Sequence, residues 1–272
     1  MSDKYALGHS THELMRLATQ ARLIDPITER FIREAGLTPG MRVLDVGSGA
    51  GDVAILAAQI VGGEGIVIGT DKAEAAIAVA KLRVVESGIR NVSFIAGDPA
   101  DMTFAQPFDA VVGRYVLQFL PNPAASLAKL SRHLKPGGIM VFHELDWQGA
   151  RSSPPALGYD LCCKWCIETI KRLGAETSMG VRMASIFAAA ELNAPTLRLE
   201  SVIGAGKEST DAVHLVTDLV ETLVADMSRL SVATTAEIGL ENLFDRVIQE
   251  VVATGSVVIG RSEIGAWTRV QH

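Results

Sequence analysis

Cysteine is scarce in this sequence. Of 272 residues only three are cysteine, Cys162, Cys163 and Cys166, and they fall within about a turn and a half of one another. Such a cluster makes no disulfide framework and fits a reducing compartment. It also lacks the second Cys/His pair that a four-ligand zinc site needs, so no metal is expected. An excess of basic charge is missing as well. Lys and Arg number 25 against 31 Asp and Glu, a net charge of −6, with no long basic run. The electrostatic footprint of a nucleic-acid binder is therefore absent. Long apolar runs are lacking too. Gly or charge interrupts each one, so no segment is expected to span a bilayer. The opening residues, Met1 to Tyr5, carry no apolar signal core. These absences together predict a cytoplasmic protein.

What is present suits one large domain. The chain is 48% apolar and 21% charged, ordinary for a globular protein, and long enough to bury a core without staples. Ser10 and Glu13 read as a capping box, followed by apolar residues at helical spacing from Leu14 to Ile24. Pro26 permits a new helix, which Gly36 closes. From residue 41 the pattern alternates. Short apolar strands at 43–46, 65–70, 92–96, 109–113 and 139–143 alternate with helices at 52–61, 73–87 and 123–133, and Lys135 to Gly138 reads as a turn. Continuous apolar strands belong to a parallel sheet covered on both faces. The alternation predicts a doubly wound, Rossmann-like α/β fold. Residues 148–179 interrupt it, with a helix at about 157–173. A helix at 181–192, a sixth strand at 196–203, two helices within 209–254 and a last strand at 263–270 complete a seven-stranded sheet. The expected organisation is a helical cap (1–40), a cofactor-binding core (41–147), a lid insert (148–179) and a C-terminal part of the sheet (180–272) in one domain.

The first strand runs into Gly47-Ser48-Gly49-Ala50-Gly51 and then a helix. This is a nucleotide-binding geometry, because glycines let a ligand approach the backbone and the helix start supplies N–H donors. NAD enzymes use the same device, but their Gly-x-Gly-x-x-Gly spacing fails here at Asp52, where a carboxylate would repel a pyrophosphate. Asp71 ends the second strand, about 20 residues beyond the loop, where a carboxylate accepts from ribose hydroxyls. Asp98 ends the third strand, within reach of an adenine amino group. Each acid alone would read equally well as a helix cap. All three features on one strand edge favour a ligand site.

Residues 41–54 (MRVLDVGSGAGDVA) resemble motif I of the class I S-adenosylmethionine methyltransferases. Asp71, followed by Lys72, matches the acidic end of strand two. Residues 97–102, beginning Gly97-Asp98-Pro99, resemble the adenine-contacting motif. Residues 108–120 and 134–138 resemble the strand-four and post-strand motifs. The likeness covers roughly residues 5–147 and is nearest to the small-molecule branch with the ubiquinone/menaquinone C-methyltransferases. Ser48 stands where that branch often has Cys. The resemblance implies S-adenosylmethionine as cofactor, a mostly parallel sheet with an antiparallel last strand, and helical lid insertions. It implies that Asp45 orders the loop around the methionine end of the cofactor, that Arg114 contacts that end, and that an N-terminal helix covers it, giving Tyr5 a role. In the related arsenite methyltransferases cysteines bind arsenic, but the cysteine cluster here reads first as helix core.

The activity expected is methyl transfer to a small organic acceptor, its O, N or C atom unresolved. An NAD-linked oxidoreductase and a non-catalytic cofactor-binding protein are the alternatives. His143 and Glu144 follow the fifth strand and are the candidates at the acceptor, as a base or as a hydrogen-bonding group. Trp147, Leu157, Tyr159 and Trp165 read as an apolar lining for the acceptor or as packing within the lid. His9 and His12 read as surface residues. The partner expected is a small-molecule acceptor, with neither nucleic acid nor membrane, and a homodimer is left open.

Overall fold

The computed structural model describes residues 11–271, with side chains described from residue 21 onward. Tyr5, His9, the capping box at Ser10 and the side chain of His12 lie outside the described residues. In chain order the elements are α1 (Thr11–Ala35), β1 (Arg42–Val46), α2 (Asp52–Val61), β2 (Ile66–Asp71), α3 (Glu74–Ser87), β3 (Val92–Ala96), β4 (Phe108–Arg114), α4 (Pro123–Ser131), β5 (Leu134–Asp146), β6 (Arg151–Ser153), α5 (Leu157–Arg172), α6 (Met179–Ala189), β7 (Thr196–Ala205), α7 (Thr210–Arg229), α8 (Thr235–Ile238), α9 (Leu243–Thr254) and β8 (Val257–Arg269). The strand order is β3-β2-β1-β4-β5-β8-β6, with β7 on β8. This is the expected mostly parallel α/β sheet with antiparallel C-terminal strands.

The chain forms two compact units. One holds Asp25–Glu144, Met179–Leu199 and Glu263–His272. Here β1 pairs in parallel with β2 and β4, so that Leu44 lies opposite both Ile68 and Val111. Alternate residues serve opposite faces of the sheet. Val43, Val67, Ala110 and Val141 pack under α2, α3 and the end of α1, whereas Leu44, Ile68, Val111 and Met140 pack under α4 and α6. Burying both faces explains why these strands read as unbroken apolar runs, each such side chain contributing roughly 1.5–3 kcal/mol. Helix ends follow local rules. Gly88 closes α3 in the left-handed conformation, and the Asn122 side chain caps α4 ahead of Pro123.

The other unit holds residues 11–24, Leu145–Ser178 and Glu200–Ser262. In it α5 packs against α7 and α9. Cys162, Cys163 and Cys166 are free and buried on α5. Burial pushes the Cys162 and Cys163 thiols up to about 12, and Cys166 also well up, so these are inert core side chains. Trp147 and Tyr159 are buried in the same unit, and the Tyr159 hydroxyl donates to the Ile259 carbonyl at 3.1 Å.

The last strand begins at Val257, six residues before the expected start, and four further features differ from the sequence reading. An eighth strand, β6, pairs antiparallel with Val257–Ile259; Arg-Ser-Ser is too short and polar to show a strand pattern. Residues 209–254 hold three helices rather than two, the extra one-turn α8 being closed by a capping box between Thr234 and Glu237. Lys135 to Gly138 is not a free turn. Leu134 pairs with Phe108 of β4, and Gly137 N–H donates to the Val270 carbonyl and Val270 N–H to the Gly138 carbonyl just after β8, so β5 begins at Leu134. Finally, Pro26 does not start a helix. α1 runs through it, because Ile24, Ile27, Phe31 and Ala35 keep one buried face across the proline.

Pro26 is exposed and deprives α1 of one backbone hydrogen bond. Pro26→Ala is therefore expected to stabilise the protein by roughly 1–3 kcal/mol, part of the helix-interior cost of proline. Urea denaturation checks this. An unchanged or lower midpoint would show that the stiffness proline gives the unfolded chain outweighs the lost bond.

Candidate functional site

The loop after β1 carries three left-handed glycines in five residues. Gly47, Gly49 and Gly51 have φ of 64°, 52° and 91°. Two of them also need the absence of a side chain. A Cβ on Gly47 would lie 2.7 Å from Val116 Cγ2, and one on Gly51 would lie 2.9 Å from Phe94 Cζ. At Gly49 a Cβ would meet nothing within 4 Å, so the loop backbone is open at its middle. Ser48 N–H donates to the Thr70 carbonyl at 2.8 Å, which ties the loop to the end of β2.

Asp71 then joins two strand ends. Its Oδ2 accepts from Gly49 N–H at 2.9 Å and its Oδ1 from Ala73 N–H at 2.8 Å. Its carbonyl accepts from Gly97 N–H at 2.8 Å. The acid thus caps the following turn and fixes the glycine loop, and each carboxylate oxygen keeps a second lone pair. Asp98 Oδ1 accepts from Ala100 N–H at 2.9 Å, and Lys72 Nζ lies 2.9 Å from its Oδ2. Partial burial acts to raise the Asp98 carboxyl, but Lys72 and the Ala100 N–H together hold it below the usual range. Pro99 is buried at the first position of a 3₁₀ turn, with its carbonyl 2.8 Å from His133 Nε2. Gly47, Ser48, Gly49, Gly51, Asp71, Lys72, Gly97, Asp98 and Pro99 thus gather at the carboxyl ends of β1, β2 and β3.

Behind the loop lies a set of charges, of which Asp45 and Arg114 are buried. Asp45 is 1% exposed, and its Oδ2 has no hydrogen-bond partner among the described residues; the same is true of Ser48 Oγ. Burial pushes the Asp45 carboxyl well above the ordinary range. Arg114 acts against this, and the negative charges of Asp52 and Asp71 add to it. Arg114 itself is buried. One guanidinium nitrogen donates to Asp25 Oδ1 at 2.6 Å and to Thr28 Oγ1 at 3.0 Å, and the other lies 3.6 Å from Asp52 Oδ2. From α3, Arg83 reaches Asp52 Oδ1 at 2.7 Å and the Ala50 carbonyl at 2.7 Å.

His143 and Glu144 sit in the core, at 2% and 0% exposure. His143 Nδ1 lies 3.1 Å from Thr28 Oγ1 and its Nε2 2.9 Å from Glu263 Oε2. Glu144 Oε1 accepts from Val116 N–H and Leu117 N–H, each at 2.7 Å. Burial pushes the Glu144 carboxyl up to about 8, although those N–H groups favour its charged form. The sequence reading missed Glu263, Tyr115, Thr28 and Asp25. One signal was legible: Glu263 is an acid inside a strand, followed by the apolar Ile264 and Ala266, and a buried acid needs partners.

Comparison with known proteins agrees with this geometry. Residues 37–191, more than half of the chain, match the family described as a methyltransferase domain. Aklanonic acid methyltransferase DauC of Streptomyces sp. (strain C5) is 36% identical over 118 residues, 43% of this chain and 54% of that protein. The ubiquinone/menaquinone biosynthesis C-methyltransferase UbiE of Coxiella burnetii is 32% identical over 145 residues, 53% of this chain and 56% of that protein. The chain therefore spans about half the length of these relatives. Among solved structures, the [4+2]-cyclase SpnF superposes with a TM-score of 0.54 at 21% identity, over 90% of this chain and 82% of that one. That likeness shows the fold alone, and a fold does not fix a reaction. With the family match covering the glycine loop, both acids and the β4 and β5 motifs, the chain belongs to the methyltransferase domain family.

Proposed function

We propose that the chain binds S-adenosylmethionine at the glycine loop and catalyses transfer of its methyl group to a small organic acceptor. The observation that carries this reading is the pair of buried, unpartnered acceptor atoms, Asp45 Oδ2 and Ser48 Oγ, beside a glycine backbone that is open at Gly49. A site where Asp25, Asp45, Asp52 and Asp71 outnumber Arg83 and Arg114 fits a cationic ligand without phosphate. It does not fit NAD, whose pyrophosphate would meet Asp52 at the start of α2. Asp71 would hold the ribose hydroxyls with its remaining lone pairs. Asp98 and Pro99 would face the adenine, and Asp45 with the Gly47–Gly49 backbone the methionine end. When bound, the cofactor supplies an electrophilic methyl group on a sulfonium.

The chain's own task is then to hold the acceptor in a near-attack geometry. His143 and Glu144 serve this as framework residues rather than as a base, since each is buried and engaged with neighbouring groups. A net charge of −6 without a basic run favours a small molecule over nucleic acid. Among the described residues no helix is long and apolar enough to cross a membrane.

Calorimetry with S-adenosylhomocysteine and with NAD tests the reading. Binding of the first and not the second is expected, and the reverse would end the proposal. Asp71→Ala is expected to weaken S-adenosylhomocysteine by about 1.5–3 kcal/mol, the scale for hydrogen bonds to a charged group. Asp71→Asn, which keeps one acceptor oxygen, is expected to lose less.

Asp45→Asn gives a second test with opposite signs in two measurements. A carboxyl whose folded pKa is raised contributes stability below its unfolded pKa, and that contribution is lost as pH rises through the folded value. The neutral amide escapes this loss. The variant should therefore be more stable than the parent at neutral and higher pH, with the gap closing in acid. It should also bind the cationic cofactor more weakly, because the buried charge is gone. Denaturation curves across pH, paired with cofactor titrations, would contradict the assignment if stability and affinity fell together.

A further inference from the structure

We propose that Glu144 and Glu263 position the glycine loop by clamping the turn at residues 114–117. The proposal rests on the cofactor reading above and gives that site two positioning residues from β5 and β8. The turn grips the loop at both ends. Val116 occupies the space that a Cβ on Gly47 would need, its Cγ2 only 2.7 Å from that position. Arg114 reaches Asp52, the first residue of α2, at 3.6 Å. Any shift of residues 114–117 is thus passed to the start and the finish of the loop.

A turn with that role must itself be rigid, yet its backbone is strained. Tyr115 is left-handed, with φ 57°, a conformation that an aromatic residue rarely adopts and that persists only where the surroundings over-determine it. Here they do. Tyr115 N–H donates to the His143 carbonyl at 2.9 Å. Its phenol O–H donates to Glu263 Oε2 at 2.6 Å, and Glu144 Oε1 accepts from the next two N–H groups at 2.7 Å each. Glu263 is held in turn. His143 Nε2 lies 2.9 Å from the same Oε2, and His143 Nδ1 lies 3.1 Å from Thr28 Oγ1, which accepts from Arg114 at 3.0 Å. The chain of contacts therefore leaves the turn at Tyr115 and returns to it at Arg114.

Stability alone does not call for this arrangement. Glu144 and Glu263 are 0% and 1% exposed, and buried carboxylates carry a desolvation cost that apolar residues of similar volume avoid. What two fixed acceptors provide, and apolar packing does not, is direction. They specify where consecutive N–H groups and one phenol must point. The opposition between burial and backbone donors at Glu144 fits a carboxyl kept for that geometry.

The test is calorimetry with S-adenosylhomocysteine on the full chain, paired with urea denaturation. Tyr115→Phe and Glu263→Ala, which each remove the hydrogen bond between the phenol and its acceptor, are expected to weaken binding about tenfold. Glu144→Gln keeps a carbonyl oxygen for the two N–H groups and is expected to stay within about threefold of the parent, whereas Glu144→Ala should lose more than about tenfold. Thr234→Ala serves as a control, since it removes the side-chain cap of α8. It should lower the urea midpoint without moving the affinity, which separates a loss of stability from a loss of positioning. If Tyr115→Phe and Glu263→Ala bind like the parent, the clamp is refuted while the cofactor reading stands. If the parent itself fails to bind S-adenosylhomocysteine, the cofactor reading falls, and the clamp with it.

Discussion

The carboxyl edge of the sheet depends on one constraint: β1 is paired on both sides, by β2 and by β4. The chain winds outward from β1 through β2 to β3, then returns to lay β4 on its other flank. Loops leaving β1 and β4 therefore start from adjacent strands at the point where the winding reverses, the edge at which open α/β sheets bind ligands. The glycine loop leaves β1 at that point, and the 114–117 turn leaves β4 beside it. Asp71 and Asp98 arrive from the next two strands. No single motif builds this site. Parallel pairing brings four short segments together that lie far apart in sequence.

Close approach then sets the chemistry. Gly47 and Gly51 admit Val116 and Phe94 against the loop, so the loop packs into the core from behind while its backbone stays open at Gly49. Packing so close leaves little water, and the charges there are governed by burial. Asp45 rises, and Arg114 is held among Asp25, Asp52 and Thr28. Removing one member of such a set strands its partner, typically at about 3–5 kcal/mol. What remains is a buried acid with an unpartnered oxygen next to a loop whose backbone is open at Gly49.

Much of the first unit was legible residue by residue. Helix α2 begins at Asp52 and ends at Val61, and β3 runs from Val92 to Ala96, as the apolar spacing and the flanking glycines require. The misreadings have particular causes. Pro26 has the local signature of a helix start, and a buried face that continues from Ile24 to Ala35 overrides that local rule. Lys135 to Gly138 has the composition of a turn, and it becomes strand only through Phe108, which pairs with Leu134, and Val270, both distant in sequence. Strand β6 exists only because β8 supplies its hydrogen-bond partners.

The sequence by itself determined the alternation of strands and helices, the left-handed glycine positions and the acids that end β2 and β3. These follow from local rules: side-chain periodicity, the conformational freedom of glycine, and the place of a residue at a strand end. Only the tertiary structure decided how the charges pair. That Arg114 meets Asp25 and Asp52, that Tyr115 and His143 share Glu263, and that Glu144 turns inward to backbone N–H groups depends on contacts across 27 to 148 positions of sequence. Electrostatic interactions between such groups become strong only once folding has removed the water between them. No pattern along the chain records which charges will meet there.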